Sequence, residues 1–244
     1  MMSLTQAFVL HQRPYRETSL LLDVISRDYG RVSLVARGVR QKRKRGGHQL
    51  QLFQPLWLSW VGRGELQTLT DVEHHQPRYW LKGHAALCGL YINELLIRLT
   101  GLHQSEPMIF DAYQQALSEL EHSDSCEITL RIFEKHLLAA MGYGLALTHE
   151  ANTGLPITDD NYYRYLPEHG LIVSDKAISG QTISGRSLKH FEQGSDFDLV
   201  SLSEIKQMMR TVLNYYLDGK PLKSRQLFAQ MQLYANPASS ETER

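Results

Sequence analysis

From residue 6 to residue 73, apolar residues alternate with polar ones or form short blocks, a pattern that indicates β-strands rather than helices. Glycine, proline and aspartate stand between the blocks, where turns are expected. The predicted strands cover residues 7–10, 19–25, 31–36, 52–61 and 65–69. Five short strands without an intervening helix favour a small closed barrel of the OB type, since closure removes exposed strand edges.

After Pro77 the apolar residues recur three and four positions apart, which indicates helices. The predicted helices cover residues 80–100, 107–120, 127–141, 187–193, 201–217 and 223–234. Between residues 145 and 184 the pattern is irregular, except that 162–165 and 171–173 are expected to pair as a hairpin.

The fold class predicted from these patterns is α+β, with the strands preceding the helices. An N-terminal five-stranded OB-fold barrel is expected at residues 1–78. A mainly α-helical C-terminal domain follows at residues 79–236, with an irregular insert at about 145–184. Residues 237–244 are expected to form a frayed tail.

Composition excludes several classes of protein. The 244 residues are 42% hydrophobic and 21% charged, which is ordinary for a globular chain of one or two domains. The most apolar helical stretch, residues 87–102, contains Glu94 and Arg98 and is too polar to span a bilayer. Cys88 and Cys126 are too few for a disulfide framework, and no signal peptide is recognised. We therefore expect a cytoplasmic protein.

The charges are unevenly distributed along the chain, although 26 basic and 26 acidic residues cancel in total. Residues 1–45 hold ten basic side chains against three acidic ones, a net charge of +7, so the remainder carries −7. Such asymmetry is typical of a polyanion-binding segment joined to another domain. Residues 103–128 hold six acids and no lysine or arginine, so this stretch is either a solvated face or a docking surface for a basic partner.

The densest cationic cluster lies in a glycine-bounded loop between the third and fourth predicted strands. Its five cations in six positions are Arg40, Lys42, Arg43, Lys44 and Arg45. Because charges this dense repel one another, we interpret the loop as a nucleic-acid contact in which phosphates neutralise the cations. A solubilising loop is the alternative. Arg37 precedes the run, and Arg13, Arg16 and Arg31 are expected at the same end of the barrel.

A second basic cluster lies at a predicted helix start beside Pro221. Its members are Lys220, Lys223 and Arg225. Backbone amides at a helix start bind anions, so the cluster is a candidate anion site. Salt bridges to the acidic helices are the alternative.

Trp57 and Trp60 are three positions apart on one predicted strand, so one of the two indoles must point outward. An outward aromatic side chain here either stacks on a base or packs on the helical half of the protein. For this indole we favour packing.

No enzymatic motif is found in the sequence. Phosphate-binding glycine loops, dinucleotide-binding glycine patterns, zinc-protease helices and serine nucleophile elbows are all missing. His74 and His75 are adjacent and point to opposite faces of a strand, which makes joint metal binding unfavourable. We therefore predict no catalytic residue, no metal and no cofactor, although a metal-dependent nuclease stays a third alternative.

Five motifs follow one another along nearly the whole chain, namely AFVLHQRPYRETSLLLDVISRDYGRVSLVARGVR, LFQPLWLSWVGRGELQTL, GLYINELLIRL, LRIFEKHLLAAMGYG and GKPLKSRQLF. Together they resemble the bacterial RecO family of recombination mediators and DNA repair proteins. The resemblance implies binding of single- and double-stranded DNA, annealing of strands coated by single-strand-binding protein, and action with RecR. In many bacteria RecF also takes part, and the complex loads RecA at gaps.

The resemblance also implies site residues. Those that match the family's basic strand-loop element are Arg37, Arg40, Lys42 and Arg43. Lys44 and Arg45 continue that run, while Lys220, Lys223 and Arg225 match the family's late K-P-L-K-S-R element and receive a supporting role in DNA binding.

For the helical domain, the resemblance implies docking of the acidic, phenylalanine-ended tail of single-strand-binding protein. Arg131 lies in the family's L-R-x-F-E helix and is predicted to receive the tail carboxylate beside Phe133. Many family members hold a four-cysteine zinc knuckle in the region that matches residues 145–184. This chain has no cysteine there, so we predict no zinc and a segment held by hydrophobic and tyrosine packing.

These observations together predict a non-catalytic, cytoplasmic DNA-binding mediator that associates with the nucleoid when it is bound to DNA. The alternative is an OB-fold scaffold that bridges repair proteins and has no intrinsic affinity for DNA.

Overall fold

In a computed structural model, which describes residues 3–39, 50–122 and 125–235, five strands close into a barrel. They are β1 (Thr5–Tyr15), β2 (Ser19–Ser26), β3 (Gly30–Ala36), β4 (Leu56–Val61) and β5 (Leu66–Glu73). Their order is β1-β2-β3-β5-β4, with β4 closing on β1 and only β3 and β5 parallel. The predicted fold class is confirmed. The fourth strand is shorter than predicted, because it begins only after Pro55, which lacks the amide that a ladder requires.

The barrel core is built from alternate residues of each strand, as the sequence pattern predicts. The inward side chains include Val9, Leu22, Val24, Val32, Leu34, Leu56, Leu58 and Trp60. Trp60 is 1% exposed, whereas Trp57 is half-buried on the outer surface, where its ring meets that of His75 edge-on at 5.9 Å. One outward indole is therefore confirmed, and the ring that it meets belongs to the barrel segment. Packing of this indole on the helical half stays a prediction.

Residues 1–110 and 221–244 form one compact unit, called unit 1. Besides the barrel, it contains α1 (Gly83–Leu99) and the last helix, α6 (Lys223–Ala235). The register of β1 shifts between Val9 and His11, and within this bulge the Leu10 carbonyl accepts a 2.8 Å hydrogen bond from the buried Asn93 side chain of α1. This bond explains why a polar residue lies on the otherwise apolar buried face of α1.

Residues 111–220 form unit 2. The helices are α2 (Pro107–His122), whose first turn belongs to unit 1, α3 (Cys126–Ala140), α4 (Gly185–Gln193) and α5 (Leu199–Tyr216). A small sheet of order β7-β6-β8 is formed by β6 (Tyr162–Leu166), β7 (Gly170–Ser174) and β8 (Ile183–Ser184). The predicted hairpin is thus confirmed. Among the described residues, no helix has both the length and the apolar character to cross a membrane.

Tyrosines hold the segment around this sheet. Tyr163 is buried, and its hydroxyl accepts a 2.9 Å hydrogen bond from the Thr158 amide. Tyr143, after α3, stacks on Tyr216 at the end of α5 with ring centres 4.3 Å apart. The tyrosine packing predicted for this segment is present.

Candidate nucleic-acid interface

Exposed arginines gather at the end of the barrel where β1 turns into β2 and β3 ends. Tyr15 pairs with Ser19 and Leu20 pairs with Ala36, so Arg16 in the turn and Arg37 after β3 lie at one end. Since neighbouring strands are about 4.8 Å apart, β1 and β3 are separated by roughly 10 Å across β2. Arg13, which is also exposed, lies near the end of β1. We call Arg13, Arg16 and Arg37 the barrel-end arginines.

Arg31 does not belong to this group, and the expectation that it shares their end of the barrel is wrong. It lies at the start of β3, six residues from Arg37, which is about 20 Å along a strand. Its Nε and Nη2 atoms donate to the Thr100 carbonyl at 3.1 and 2.9 Å, and its Nη1 lies 3.9 Å from Asp23. Burial lowers the pKa of Arg31, while the Asp23 charge opposes this shift. Arg31 therefore anchors the end of α1.

The cations of the predicted DNA-binding loop lie outside the described residues. They are Arg40, Lys42, Arg43, Lys44 and Arg45. The chain on either side of the loop is fixed on the barrel, because Val39 packs against the core and Leu50 is buried within it. The basic run starts three residues after the exposed Arg37, and the described residues at both ends of the segment, Val39 and Leu50, lie on the barrel.

The start of α6, expected to bind an external anion, is occupied by a carboxylate of the chain itself. Glu94 of α1 accepts hydrogen bonds from the amides of Lys223 and Ser224, at 2.9 and 2.8 Å, and from the Ser224 hydroxyl at 2.6 Å. Burial alone would raise the pKa of Glu94, but the hydrogen bonds from Ser224 and Lys223 and the charge of Arg98 outweigh it and lower that pKa. A phosphate would have to displace this carboxylate to reach the amides.

The side chains of the second basic cluster lie in different surroundings. In unit 2, Lys220 is exposed, and its Nζ lies 3.6 Å from the Asp218 carboxylate. In unit 1, Lys223 is exposed, whereas the Arg225 guanidinium lies 5.7 Å from the centre of the Tyr91 ring and donates to its hydroxyl at 3.4 Å. The predicted role of this cluster in DNA binding stays a prediction.

The two residues predicted to receive a partner's tail are buried in α3. Arg131 is 4% exposed, and its Nη2 lies 2.7 Å from Oε1 of Glu134, which is itself 0% exposed. Phe133 is also buried. A carboxylate from another protein would have to compete with Glu134 for this guanidinium. Tail docking at these two residues stays a prediction.

A groove of about 750 Å³ lies on unit 2, between α2, α3 and the end of α4. Ile128 and Ile132 of α3 supply apolar lining, and Lys135 supplies a positive charge. The Lys135 ammonium donates to the carbonyls of Phe191 and Glu192 at 3.0 and 2.7 Å, a favourable place for a cation at a helix end. Sequence analysis missed the groove because its residues come from three elements that only the fold brings together.

Comparisons with known proteins agree with the resemblance. Residues 1–78 match the family profile "Recombination protein O N terminal", and residues 81–226 match "Recombination protein O C terminal". The chain is 44% identical over 227 residues to the DNA repair protein RecO of Coxiella burnetii strain RSA 493, covering 92% of this chain and 97% of that protein. Identity to the RecO of Nitrosococcus oceani is 41% over 239 residues, covering 98% and 97% of the two chains. Identity to the RecO of Vibrio cholerae strain M66-2 is 42% over 240 residues, covering 98% of each. The chain therefore belongs to the RecO family of DNA repair proteins.

Proposed function

We propose that this chain is a non-catalytic recombination mediator that binds single- and double-stranded DNA and anneals complementary single strands. The observation that carries the proposal is the gathering of exposed Arg13, Arg16 and Arg37 at the barrel end from which the basic loop leaves. Exposed cations in such a group attract backbone phosphates, which bind with release of counterions. Membership of the RecO family supports this function.

Annealing in this proposal needs no nucleophile and no metal. Two complementary strands repel each other through their phosphates, and a basic surface that neutralises both backbones lowers this repulsion. Holding the two strands close together also raises their effective concentration. The proposed partners are RecR, single-strand-binding protein and, indirectly, RecA and RecF, with RecA loaded onto DNA that the single-strand-binding protein coats.

For the acidic tail of single-strand-binding protein, we propose docking on α3, which offers two candidate sites. At the first, the Arg131 and Phe133 side chains are buried, and Arg131 is ion-paired with Glu134. The second is the open groove, where Ile128 and Ile132 suit an apolar peptide end and Lys135 offers a positive charge, which Glu192 now pairs at 3.0 Å. Titration calorimetry with an acidic, phenylalanine-ended peptide separates the two, because Lys135→Glu abolishes binding only if the groove is the site.

The test of DNA binding is charge reversal in the basic loop, measured by fluorescence anisotropy with a labelled single strand over a range of salt. The variant combines the substitutions Arg40→Glu, Lys42→Glu, Arg43→Glu and Lys44→Glu. A control with the same change in net charge reverses exposed cations of unit 2, namely Arg164, Lys176, Arg186 and Arg210.

The loop variant should bind more weakly, and its log–log salt slope should flatten by about 0.7 for each lost phosphate contact. The unit 2 control should retain most of the affinity and slope. An unchanged slope in the loop variant would exclude the loop as the DNA contact. A wild-type protein that binds no free oligonucleotide at moderate salt would favour the scaffold alternative.

A further inference from the structure

Trp80 lies in the linker between β5 and α1 and is 64% exposed, unlike the buried Trp60 and half-buried Trp57. An indole this open to water has a large apolar surface that folding does not bury. Tryptophan is enriched at binding interfaces, because its ring is apolar and its N–H group is polar.

The backbone on both sides of Trp80 is anchored, so the indole is held outward by a fixed support. The Tyr79 amide donates to the Phe53 carbonyl at 3.0 Å. Leu81 is buried against α1 at Gly89, where an added Cβ would lie 2.7 Å from the Leu81 Cδ1 atom. A preorganised aromatic side chain loses little conformational freedom when it binds a ligand.

A guanidinium accompanies the indole. The Arg78 side chain lies 5.5 Å from the centre of the Trp80 ring, within the range of a cation–π contact. Its Nη1 atom donates to Oε1 of Gln51 at 2.8 Å, which fixes the guanidinium. The pair therefore combines a π surface with a positive charge, the two elements that single-strand binding sites use.

Gln51 also connects this pair to the basic loop. It follows the buried Leu50, where the chain returns to the barrel. Arg45 precedes Gln51 by six residues, so the chain cannot separate them by more than about 20 Å. A strand whose phosphates contact the loop is consequently within reach of Trp80 with one of its bases.

We propose that Trp80, supported by Arg78, is a stacking platform for one base of single-stranded DNA. The inference rests on the proposed DNA-binding function and extends it to a preference for unpaired strands. Bases in a duplex have both faces covered by their neighbours, whereas a single strand leaves base faces open to an aromatic side chain.

The test compares Trp80→Ala with wild-type protein by anisotropy, using labelled oligo(dT) and a duplex of equal length. Loss of one stacked base should weaken single-strand binding by about tenfold and leave duplex binding unchanged. The salt slope on oligo(dT) should stay at the wild-type value, because stacking releases no counterions. Since Trp80 is exposed, the variant should keep the wild-type melting temperature.

Two further variants distinguish stacking from simple apolar contact. Trp80→Phe retains a π face and should keep most of the affinity for oligo(dT), whereas Trp80→Leu should be as weak as Trp80→Ala. Binding of oligo(dT) should also quench the tryptophan fluorescence of the wild-type protein, and Trp80→Phe should lose that quenching.

Wild-type affinity of Trp80→Ala or Trp80→Leu for oligo(dT) would overturn the stacking platform, as would equal losses on oligo(dT) and duplex. In those cases the wild-type protein still binds DNA, so the proposed function survives. If wild-type protein binds neither DNA, the proposed function itself fails and the platform fails with it.

Discussion

The carboxylate of Glu94 on α1 accepts hydrogen bonds from both the amide and the hydroxyl of Ser224 on α6, at 2.8 and 2.6 Å. This carboxylate takes the place of an N-cap at the start of α6, where negative charge is favourable. The final helix is thereby fixed to α1, although 130 positions of sequence separate the two residues. Lys223 lies in the same turn, and its amide also donates to Glu94.

Glu94→Gln should destabilise unit 1 by about 1 kcal/mol, the usual effect of losing a helix cap. The amide side chain keeps the shape of the carboxylate but loses its charge and one acceptor. Urea unfolding of the variant and of wild-type protein measures the difference. The matched control is Glu65→Gln, since Glu65 is exposed in the β4–β5 turn and should change stability by less than about 0.5 kcal/mol.

A double-mutant cycle shows whether the effect arises from the cap itself. Ser224→Ala removes the hydroxyl donor from the same contact. If Glu94 acts through Ser224, the double variant should be less destabilised than the sum of the two single variants. Strict additivity would exclude a contribution of the hydroxyl, because the amides of Lys223 and Ser224 stay available to Glu94 in Ser224→Ala.

The stabilisation by Glu94 should depend on pH in a direction set by its lowered pKa. A carboxyl whose pKa is lower in the folded state stabilises fully above its unfolded pKa, and this contribution is lost as pH falls through the folded pKa. The stability difference between wild-type protein and Glu94→Gln should therefore be constant from pH 7 to about pH 5 and shrink below about 4.5. Urea unfolding at pH values from 3 to 7 measures it, and a difference that grows in acid would contradict the mechanism.

Alternation along single strands predicted the barrel, because inward and outward positions repeat every two residues. The same rule identified one outward indole in the Trp57 and Trp60 pair. It gave no sign that Glu94 would cap Ser224 or that Arg31 would bond to the Thr100 carbonyl, 69 positions away. Such contacts depend on the path of the chain in three dimensions, which local periodicity does not encode.

Local patterns also do not reveal which elements pack together in one compact unit. The change of period after Pro77 places it at residue 78, whereas the compact units group α1 and α6 with the barrel. Two polar contacts of unit 1 account for this grouping, Asn93 with the Leu10 carbonyl and Glu94 with Ser224. The predicted boundary at residue 78 stays a prediction. A change of period marks a change from strands to helices, and the elements on its two sides can still pack in one unit.

Replacing Arg131 alone should destabilise unit 2 strongly, because Glu134 would keep a buried charge without its partner at 2.7 Å. Loss of one member of a buried ion pair costs about 3–5 kcal/mol. We therefore expect a large fall in urea midpoint for Arg131→Met and substantial recovery in Arg131→Met/Glu134→Leu. No recovery in the double variant would show that Arg131 stabilises α3 through other contacts.

The recovered double variant also tests tail docking at Arg131. It is folded but lacks the guanidinium, so a loss of affinity for an acidic peptide cannot be attributed to unfolding. Lost affinity would support Arg131 as the receiving side chain, and retained affinity would favour the groove with Lys135.

The last prediction concerns the two arginines at opposite ends of β3. Arg31→Met should destabilise the protein by about 1.5–3 kcal/mol, because it removes charge-assisted hydrogen bonds to the Thr100 carbonyl. Arg37→Met should change stability by less than about 0.5 kcal/mol, since Arg37 is exposed.

In DNA binding, Arg37→Met should have the larger effect of the two substitutions. It should weaken binding and reduce the salt slope by about 0.7, the effect of one lost phosphate contact on single strands. Urea unfolding and salt-dependent anisotropy on both variants measure the four values. Because the same substitution is made at both positions, an equal effect on DNA binding would show that the barrel-end arginines have no special role in the interface.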